Sequence, residues 1–275
     1  MQSSPRSRIV SLVCAPLAFT VASLPARSHA ATVYFAHADE QYLRATQHDA
    51  GAALAPDNAG QTPLPLVVFL HGTNPNGDMH LWLGGGGHDL RPVALRLYQS
   101  KKVQPFILAG PSQTRAASRG RRLWTRFDFG AFIDDVARAL DGHAVVDRDA
   151  VVFMGHSGAG CNVNGGIASD FWSQNRPLPR ALIAVDPCMD ADLGVALGRR
   201  PARVPLWLMW QSRMWPREPA AFRSALAARR PAERIDRIEE LNPTGPNPHD
   251  AILPLALERA ARALFAKREA HDGAS

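Results

Sequence analysis

A single serine between small residues is the feature of the sequence with the clearest chemistry: residues 151–162 read VVFMGHSGAGCN. The four leading apolar residues favour a buried strand, and the glycines favour a tight turn before a helix. Such a turn would lift Ser157 above the sheet edge and point backbone N–H groups at the same spot. A serine hydroxyl needs this setting, because it attacks a carbonyl carbon only when a base takes its proton and donors receive the oxyanion. The other interpretation is an ordinary serine in a glycine-rich turn.

This segment resembles the nucleophile elbow of the α/β-hydrolase family, whose pattern is G-x-S-x-G. The sequence departs from that pattern at its last position, where an alanine replaces the glycine. The order and spacing of the predicted strands and helices are also similar to those of the family. The resemblance implies that Ser157 is the nucleophile and that the backbone N–H groups of Thr73 and Gly158 receive the oxyanion. It also implies structural roles for His71, which precedes the serine in the chain, and for His156, which lies beside the serine and faces away from it.

The resemblance further predicts where the base and its acid stand. In the family the base follows the last strand, and this position selects His249; a surface histidine that caps the last helix is the alternative. The acid usually follows strand seven, where the first carboxylate, Glu218, comes several residues too late. Strand six ends at Asp186, a position that a minority of the family uses. We therefore favour Asp186, with Asp190, Glu218 and Asp192 as alternatives, or Asp186 as a turn residue only.

Two cysteines and three tryptophans belong to the same predicted site. Cys161 opens the segment after the serine turn, and Cys188 follows the adjacent strand. In the family arrangement a disulfide between them would tie the serine turn to the acid loop; two buried free thiols are the alternative. Trp82, Trp124 and Trp215 lie in loops, from which they could line an apolar acyl pocket.

Short apolar segments alternate with helical patterns around these residues. Strands are predicted at residues 66–70, 106–109, 151–154, 182–185, 206–210 and 235–241, with one or two edge strands at 32–36 and 41–45. Helices are predicted at residues 90–99, 129–140, 161–172, 220–229 and 251–267. This alternation indicates a mainly parallel sheet covered by helices on both faces. We therefore predict one α/β domain over residues 31–275, with the α/β-hydrolase fold, about eight strands and no large lid.

The first thirty residues have the layout of a secretory signal peptide. A polar, basic start precedes a mostly apolar stretch at residues 9–24, and Ser28-His29-Ala30 supplies small residues at the two positions that a signal peptidase reads. We expect cleavage near Ala30 and a periplasmic or extracellular product; a membrane-anchoring or amphipathic N-terminus is the alternative. Prolines interrupt this stretch, and no later one is long and apolar enough to span a bilayer, so stable membrane insertion is not expected.

The composition and the spacing of the cysteines and histidines argue against two kinds of partner, nucleic acids and metal ions. The net charge of +6 comes mostly from arginine, but no basic stripe interleaved with aromatic residues indicates a nucleic-acid-binding module. No Cys or His pair stands at zinc-ligand spacing, so neither a metal nor a cofactor is predicted.

The sequence as a whole therefore predicts a secreted serine hydrolase that cleaves a carboxylic ester of a small molecule or polymer through an acyl-enzyme. An ester is the default substrate because it needs the least leaving-group help. A peptidase or amidase with the same triad is the alternative, followed by a non-catalytic binding protein of this fold. The sequence identifies neither the acyl group nor the oligomeric state.

Overall fold

Eight strands form one mixed sheet through the centre of the molecule. The computed structural model describes residues 30–37, 49–57, 59–83, 89–113, 123–125, 127–168, 178–200, 203–214, 220–228 and 236–267. The strands are β1 (Ala30–Phe35), β2 (Gly51–Pro56), β3 (Pro63–Leu70), β4 (Ile107–Pro111), β5 (Val145–His156), β6 (Ala181–Val185), β7 (Leu206–Trp210) and β8 (Asp236–Glu240). Their spatial order is β1-β2-β4-β3-β5-β6-β7-β8. β2 pairs antiparallel with β1 and β4, whereas the neighbours from β4 to β8 pair in parallel.

The helices of the described segments join these strands. They are α1 (Arg91–Ser100), α2 (Phe129–Ala139), α3 (Gly158–Cys161), α4 (Ala191–Gly198), α5 (Ala220–Ala227) and α6 (Pro248–Leu264). Three of them begin at a polar side chain that accepts a hydrogen bond from the first turn: Asp128 for α2, Asp190 for α4 and Asn247 for α6. Such N-caps satisfy backbone N–H groups that the helix leaves without an acceptor.

Helices cover both faces of the sheet, and the central strand β3 shows why. Successive side chains of a strand point to opposite faces. Leu66, Val68 and Leu70 pack in the core cluster that includes side chains of α2, α4 and α5. The intervening Val67 and Phe69 pack with α1 and α6 on the other face. The sheet is therefore the middle layer of three, which confirms the predicted α/β architecture.

Three elements differ from the sequence-based prediction: β2, the helix after Ser157 and α4, which was not predicted. β2 lies at residues 51–56, in a segment of glycine, alanine, leucine and proline that strand propensity does not favour. It forms because β1 and β4 pair with it on both sides. The predicted edge strand at 41–45 lies outside the described residues.

The helix predicted at residues 161–172 was wrong at residues 162–165, because α3 ends at Cys161 and Asn162 is extended with ψ 106°. A short 3₁₀ helix, Gly166–Ala168, follows. The Asn162 side chain donates to the Leu123 carbonyl and accepts from the backbone N–H of Asn164. A side chain that bonds nearby backbone in this way competes with helix formation.

The connection between β6 and β7 contributes α4, which packs against α5. Within the described ranges no helix combines the length and apolar character needed to cross a bilayer. Residues 1–29, which make up nearly all of the predicted signal peptide, lie outside those ranges.

Candidate active site

Ser157 occupies a strained turn at the carboxyl end of β5. Its backbone angles are φ 49° and ψ −118°, a combination that residues other than glycine rarely adopt. Its N–H donates to the Val185 carbonyl at 2.9 Å, and its own carbonyl accepts from Gly160 and Cys161 at 2.9 Å each. The turn requires small neighbours, because a Cβ added at Gly155 would lie 2.7 Å from a methyl group of Ile167. The half-buried serine is thus held above the sheet edge by its backbone.

The loop after β3 passes directly beside this serine. A Cβ added at Gly72 would lie 2.8 Å from Ser157 Cβ, so only glycine allows this approach without a shift. The next residue, Thr73, is exposed, and Gly158 begins α3 on the other side of the serine. Within the described segments neither the Thr73 N–H nor the Gly158 N–H donates to a protein acceptor. Both predicted oxyanion donors therefore lie next in the chain to a residue of this close approach, Thr73 after Gly72 and Gly158 after Ser157, and no described acceptor uses their N–H groups.

His249 and Asp186 form a close pair at the same edge. His249 is the second residue of α6, and its Nδ1 lies 2.5 Å from Asp186 Oδ2. Asp186 follows β6 directly and is fully buried, whereas the His249 side chain is 24% exposed. A carboxylate accepts hydrogen bonds, so His249 Nδ1 carries the proton and Nε2 keeps its lone pair. This tautomer suits a general base.

Gln211 also holds the buried carboxylate, and its side chain shares Oδ2 with the imidazole. Its Nε2 donates to Asp186 Oδ2 at 2.9 Å, and its backbone N–H donates to Oδ1 at 3.4 Å. Gln211 is itself fully buried directly after β7, and its Oε1 accepts from the Met214 N–H at 3.0 Å. In the sequence this glutamine is simply the residue that stands where the family usually has its acid. The signal that could have found its role is a polar side chain at the end of a buried strand.

The remaining predicted acids have other positions. The Asp190 side chain accepts from the Leu193 N–H at 2.9 Å and caps α4, and Asp192 lies in the first turn of that helix. Glu218 lies outside the described residues. Among the described carboxylates of this group, Asp186 is the one that contacts His249.

Within the part of the chain that the structure describes, Ser157 and His249 form no direct hydrogen bond, but His156, the chain neighbour of Ser157, contacts His249. Both residues lie in described segments, and no hydrogen bond joins Ser157 Oγ to the His249 ring there. His156, the residue before the serine, has its Nε2 2.9 Å from the His249 carbonyl oxygen. The two histidine rings lie with centroids 4.6 Å apart. His156 therefore contacts the predicted base. The sequence predicted that His156 faces away from the serine, but it did not predict this contact with His249.

Cys161 and Cys188 form a disulfide with an S–S distance of 2.10 Å. The bond joins the last residue of α3 to the loop two residues after Asp186. It thus connects the serine turn to the acid loop, as predicted.

His71 has a structural position beneath the site. Its Nδ1 donates to the Gly72 carbonyl at 2.8 Å, and its Nε2 accepts from the Gln113 N–H at 2.8 Å. Burial lowers the pKa of His71 from 6.5 to about 4, which keeps the imidazole neutral. Both ring nitrogens are used within the core, so this histidine has no free lone pair for catalysis.

Two tryptophans of the predicted acyl pocket, Trp82 and Trp124, pack around His71. Trp82 stacks on the His71 ring with centroids 5.0 Å apart, and Trp124 meets it edge-on at 4.9 Å. Both indoles are buried, and Trp124 Nε1 donates to the His71 carbonyl at 2.8 Å. That they line an apolar acyl pocket stays a prediction. The third, Trp215, lies outside the described residues.

The described part of the chain brings no three His, Cys, Asp or Glu side chains together in a group that could hold a metal ion.

Sequence comparison finds neither a matching protein-family model nor a matching curated protein, whereas solved structures of other proteins do match. A thermostable esterase aligns with TM-score 0.54 and 18% identity over 86% of this chain and 63% of that one. The S-formylglutathione hydrolase FrmB from Staphylococcus aureus aligns with TM-score 0.53 and 14% identity over 86% of this chain and 99% of that one. A protein named FAE aligns with TM-score 0.59 and 9% identity over 88% of this chain and 89% of that one.

This chain spans less than two thirds of the length of the thermostable esterase but nearly all of the other two proteins. At these identities the likeness concerns the fold alone. The eight-stranded sheet, its strand order and these neighbours agree, and the chain therefore has the α/β-hydrolase fold.

Proposed function

We propose that the chain is a serine hydrolase that cleaves carboxylic esters, with Ser157 as nucleophile, His249 as base and Asp186 as the acid. The observation that carries this proposal is the buried Asp186 carboxylate 2.5 Å from His249 Nδ1, at the sheet edge where Ser157 stands in its strained turn. An ester is the favoured substrate because the fold neighbours include a protein named as an esterase and one named as an S-formylglutathione hydrolase.

The proposed reaction begins when His249 Nε2 takes the proton of Ser157 Oγ and the oxygen attacks the ester carbonyl carbon. The N–H groups of Thr73 and Gly158 donate to the resulting oxyanion, and the imidazolium returns the proton to the leaving alcohol. Water, deprotonated by His249, then cleaves the acyl-enzyme. Asp186 keeps the imidazole in the Nδ1–H tautomer and stabilises its charged form. In enzymes without substrate the hydrogen bond between nucleophile and base is often long and shortens in the Michaelis complex, so its absence between these two described residues is compatible with their roles.

A fluorophosphonate probe tests the nucleophile, because it reacts with activated serines only. We expect labelling of the wild type, no labelling of Ser157→Ala, and wild-type labelling of the control Ser100→Ala, whose hydroxyl bonds to the Leu97 carbonyl at the end of α1. Hydrolysis of p-nitrophenyl esters compared with p-nitroanilides then separates an esterase from an amidase or peptidase. A folded wild type that takes up no probe would contradict the proposal and leave a non-catalytic protein of this fold.

We also propose that the chain is exported and cleaved near Ala30. The signal-peptide layout of the first thirty residues supports this, and the Cys161–Cys188 disulfide is typical of oxidising compartments. N-terminal sequencing of the protein recovered from the periplasm and medium of a bacterial host tests the proposal. A product that keeps Met1 and stays in the cytoplasm would contradict it.

A further inference from the structure

The geometry points to His156 as a positioning residue that holds the imidazole of His249 in place. This inference rests on the proposed function, because that function makes His249 the base. His156 is the last residue of β5, and its side chain is only 1% exposed. Burying an imidazole lowers the stability of the fold unless its polar atoms form hydrogen bonds, so the contacts of His156 indicate its role.

The first contact fixes the backbone of the base. His156 Nε2 lies 2.9 Å from the carbonyl oxygen of His249, and a carbonyl only accepts, so Nε2 carries the proton and donates. His249 stands in the first turn of α6 and reaches the site from the far end of the sequence. This hydrogen bond is therefore a tether between the end of β5 and the beginning of α6.

The second contact restricts the ring of the base. The His156 and His249 rings lie 4.6 Å apart at an interplanar angle of 39°. His249 is thus held by Asp186 at Nδ1, by His156 at its carbonyl and by the His156 ring on one side. Orientation of a catalytic group matters steeply, because a displacement of about 1 Å can lower a rate about 100-fold.

The surroundings of His156 keep its own ring in place. Trp82 meets the ring edge-on with centroids 6.1 Å apart. Asp250 Oδ1 lies 3.9 Å from His156 Nε2, and its other carboxylate oxygen accepts from Asn247 Nδ2 at 2.7 Å. His156 is bonded directly to Ser157, so the nucleophile and the residue that contacts the base are neighbours in the same backbone segment.

Three substitutions separate a positioning role from simple packing. His156→Leu keeps the bulk and removes the donor. His156→Gln places an amide N–H near the position of Nε2, whereas His156→Asn places it near Nδ1 and too far from the His249 carbonyl. We expect kcat for a p-nitrophenyl ester to fall about 10-fold or more in the Leu and Asn variants with little change in KM, and to recover in the Gln variant. His143→Leu, at an exposed histidine after α2, is the control.

A measurement that does not depend on turnover completes the test. The proton between His249 Nδ1 and Asp186 should give a far-downfield ¹H NMR resonance, assigned by its loss in His249→Gln. We expect this resonance to be shifted or broadened in the Leu and Asn variants and retained in the Gln variant, with thermal unfolding showing that all three are folded. Unchanged kcat and an unchanged resonance in His156→Leu would overturn the inference. If the wild type neither hydrolyses esters nor takes up a fluorophosphonate, the proposed function fails, and the resonance in the same variants still decides whether His156 positions His249.

Discussion

Ser157 and Asp186 both leave their strands with a positive φ, which is uncommon for residues other than glycine. Both have a positive φ, 49° for Ser157 and 45° for Asp186, directly after neighbouring parallel strands. Each N–H then donates to a carbonyl of the next strand, from Ser157 to Val185 at 2.9 Å and from Asp186 to Met209 at 2.7 Å. Such conformations cost on the order of 1–3 kcal/mol each and persist only where surrounding structure holds them. The two proposed catalytic residues therefore both stand at positive-φ turns that follow neighbouring strands.

Gln211 is expected to matter for both activity and stability. Gln211→Leu removes the amide that donates to the buried Asp186 carboxylate, and hydrogen bonds to charged groups contribute about 1.5–3 kcal/mol. We expect the free energy of unfolding to fall by roughly 2 kcal/mol and kcat to fall about 10-fold. Gln211→Glu should be worse at neutral pH, because it removes the donor and places a second negative charge beside the buried Asp186 carboxylate. Urea unfolding and ester turnover measure the two effects. Values equal to those of the exposed control Gln104→Leu would contradict the role.

Gly72 tests how closely the β3 loop must approach the serine. Gly72→Ala introduces a Cβ 2.8 Å from Ser157 Cβ, so either the loop or the serine must move. We expect turnover and fluorophosphonate labelling to fall about 100-fold, with a loss of roughly 1–3 kcal/mol in the free energy of unfolding.

Gly142→Ala is the matched control for this substitution. Gly142 has φ 76° with no atom within 4 Å of an added Cβ, so alanine there strains the backbone far from the site. It should lower stability while leaving turnover unchanged. Equal turnover losses in the two variants would show that general destabilisation, not contact with Ser157, explains the effect.

At the scale of elements, sequence patterns predicted the strands whose burial requires apolar residues. The predicted segments of β3 to β7 are apolar, because a strand buried on both faces has to be apolar along its length. The sixth prediction corresponds to β8, which lies at the edge of the sheet and carries mostly charged residues. β2 escaped prediction because its strand state depends on partners distant in sequence. The helix predicted from Cys161 failed at Asn162, because the Asn162 side chain bonds to the Leu123 carbonyl and to the Asn164 N–H, and no local pattern contains the first of these contacts.

The candidate site shows the same difference between topology and packing. Chain order predicted His249 and the strand end predicted Asp186, and the topology of the fold brings these two residues into contact. The contacts of Gln211 and His156 depend on side-chain packing between elements, which no local pattern contains.

The disulfide couples two elements of the proposed site. Its Cys161 and Cys188 are 27 positions apart, and closing a loop of this size in the unfolded chain is worth about 3–4 kcal/mol. We expect the double variant Cys161→Ser/Cys188→Ser to lose about that much free energy of unfolding and to turn over more slowly, because α3 and the Asp186 loop are no longer joined. Urea unfolding with and without a reductant provides the measurement.

The wild type should respond to the reductant and the double variant should not. An equal response of both proteins would show that the reductant acts elsewhere, and an unchanged free energy of unfolding in the double variant would contradict the expected stabilisation.

At the scale of the whole molecule, the sheet gathers residues from distant parts of the chain. Gly72 follows β3, Ser157 follows β5, Asp186 follows β6 and His249 lies beyond β8. These strands are neighbours or near-neighbours in the spatial order, and all four run in parallel, so their carboxyl ends share one edge. Active sites of open parallel sheets form at this edge.

Global stability should depend on pH through His71. Its pKa is lowered to about 4 by burial, whereas the ordinary value is 6.5. Below that ordinary value the unfolded chain binds a proton that the folded chain does not, so the free energy of unfolding falls as the pH decreases from about 6.5 towards 4 and is fully present above this range. The loss attributable to His71 is about 2 kcal/mol between about pH 7.5 and about pH 5.

Urea unfolding across this pH range, compared with His71→Gln, measures the contribution. The variant should be less stable at neutral pH but show a shallower decline on acidification, because its amide does not titrate. Parallel declines in the two proteins would contradict the assignment to His71.

Under the proposed function, the place of His249 at the start of α6 also determines when the chain becomes reactive. During synthesis β5 and β6 emerge before α6, so a growing chain contains Ser157 long before it contains His249. In the folded protein α6 packs onto α1 and the sheet. We therefore expect unfinished chains to be inactive towards esters, and in a refolding experiment we expect activity to return with the docking of α6 rather than with the formation of the sheet.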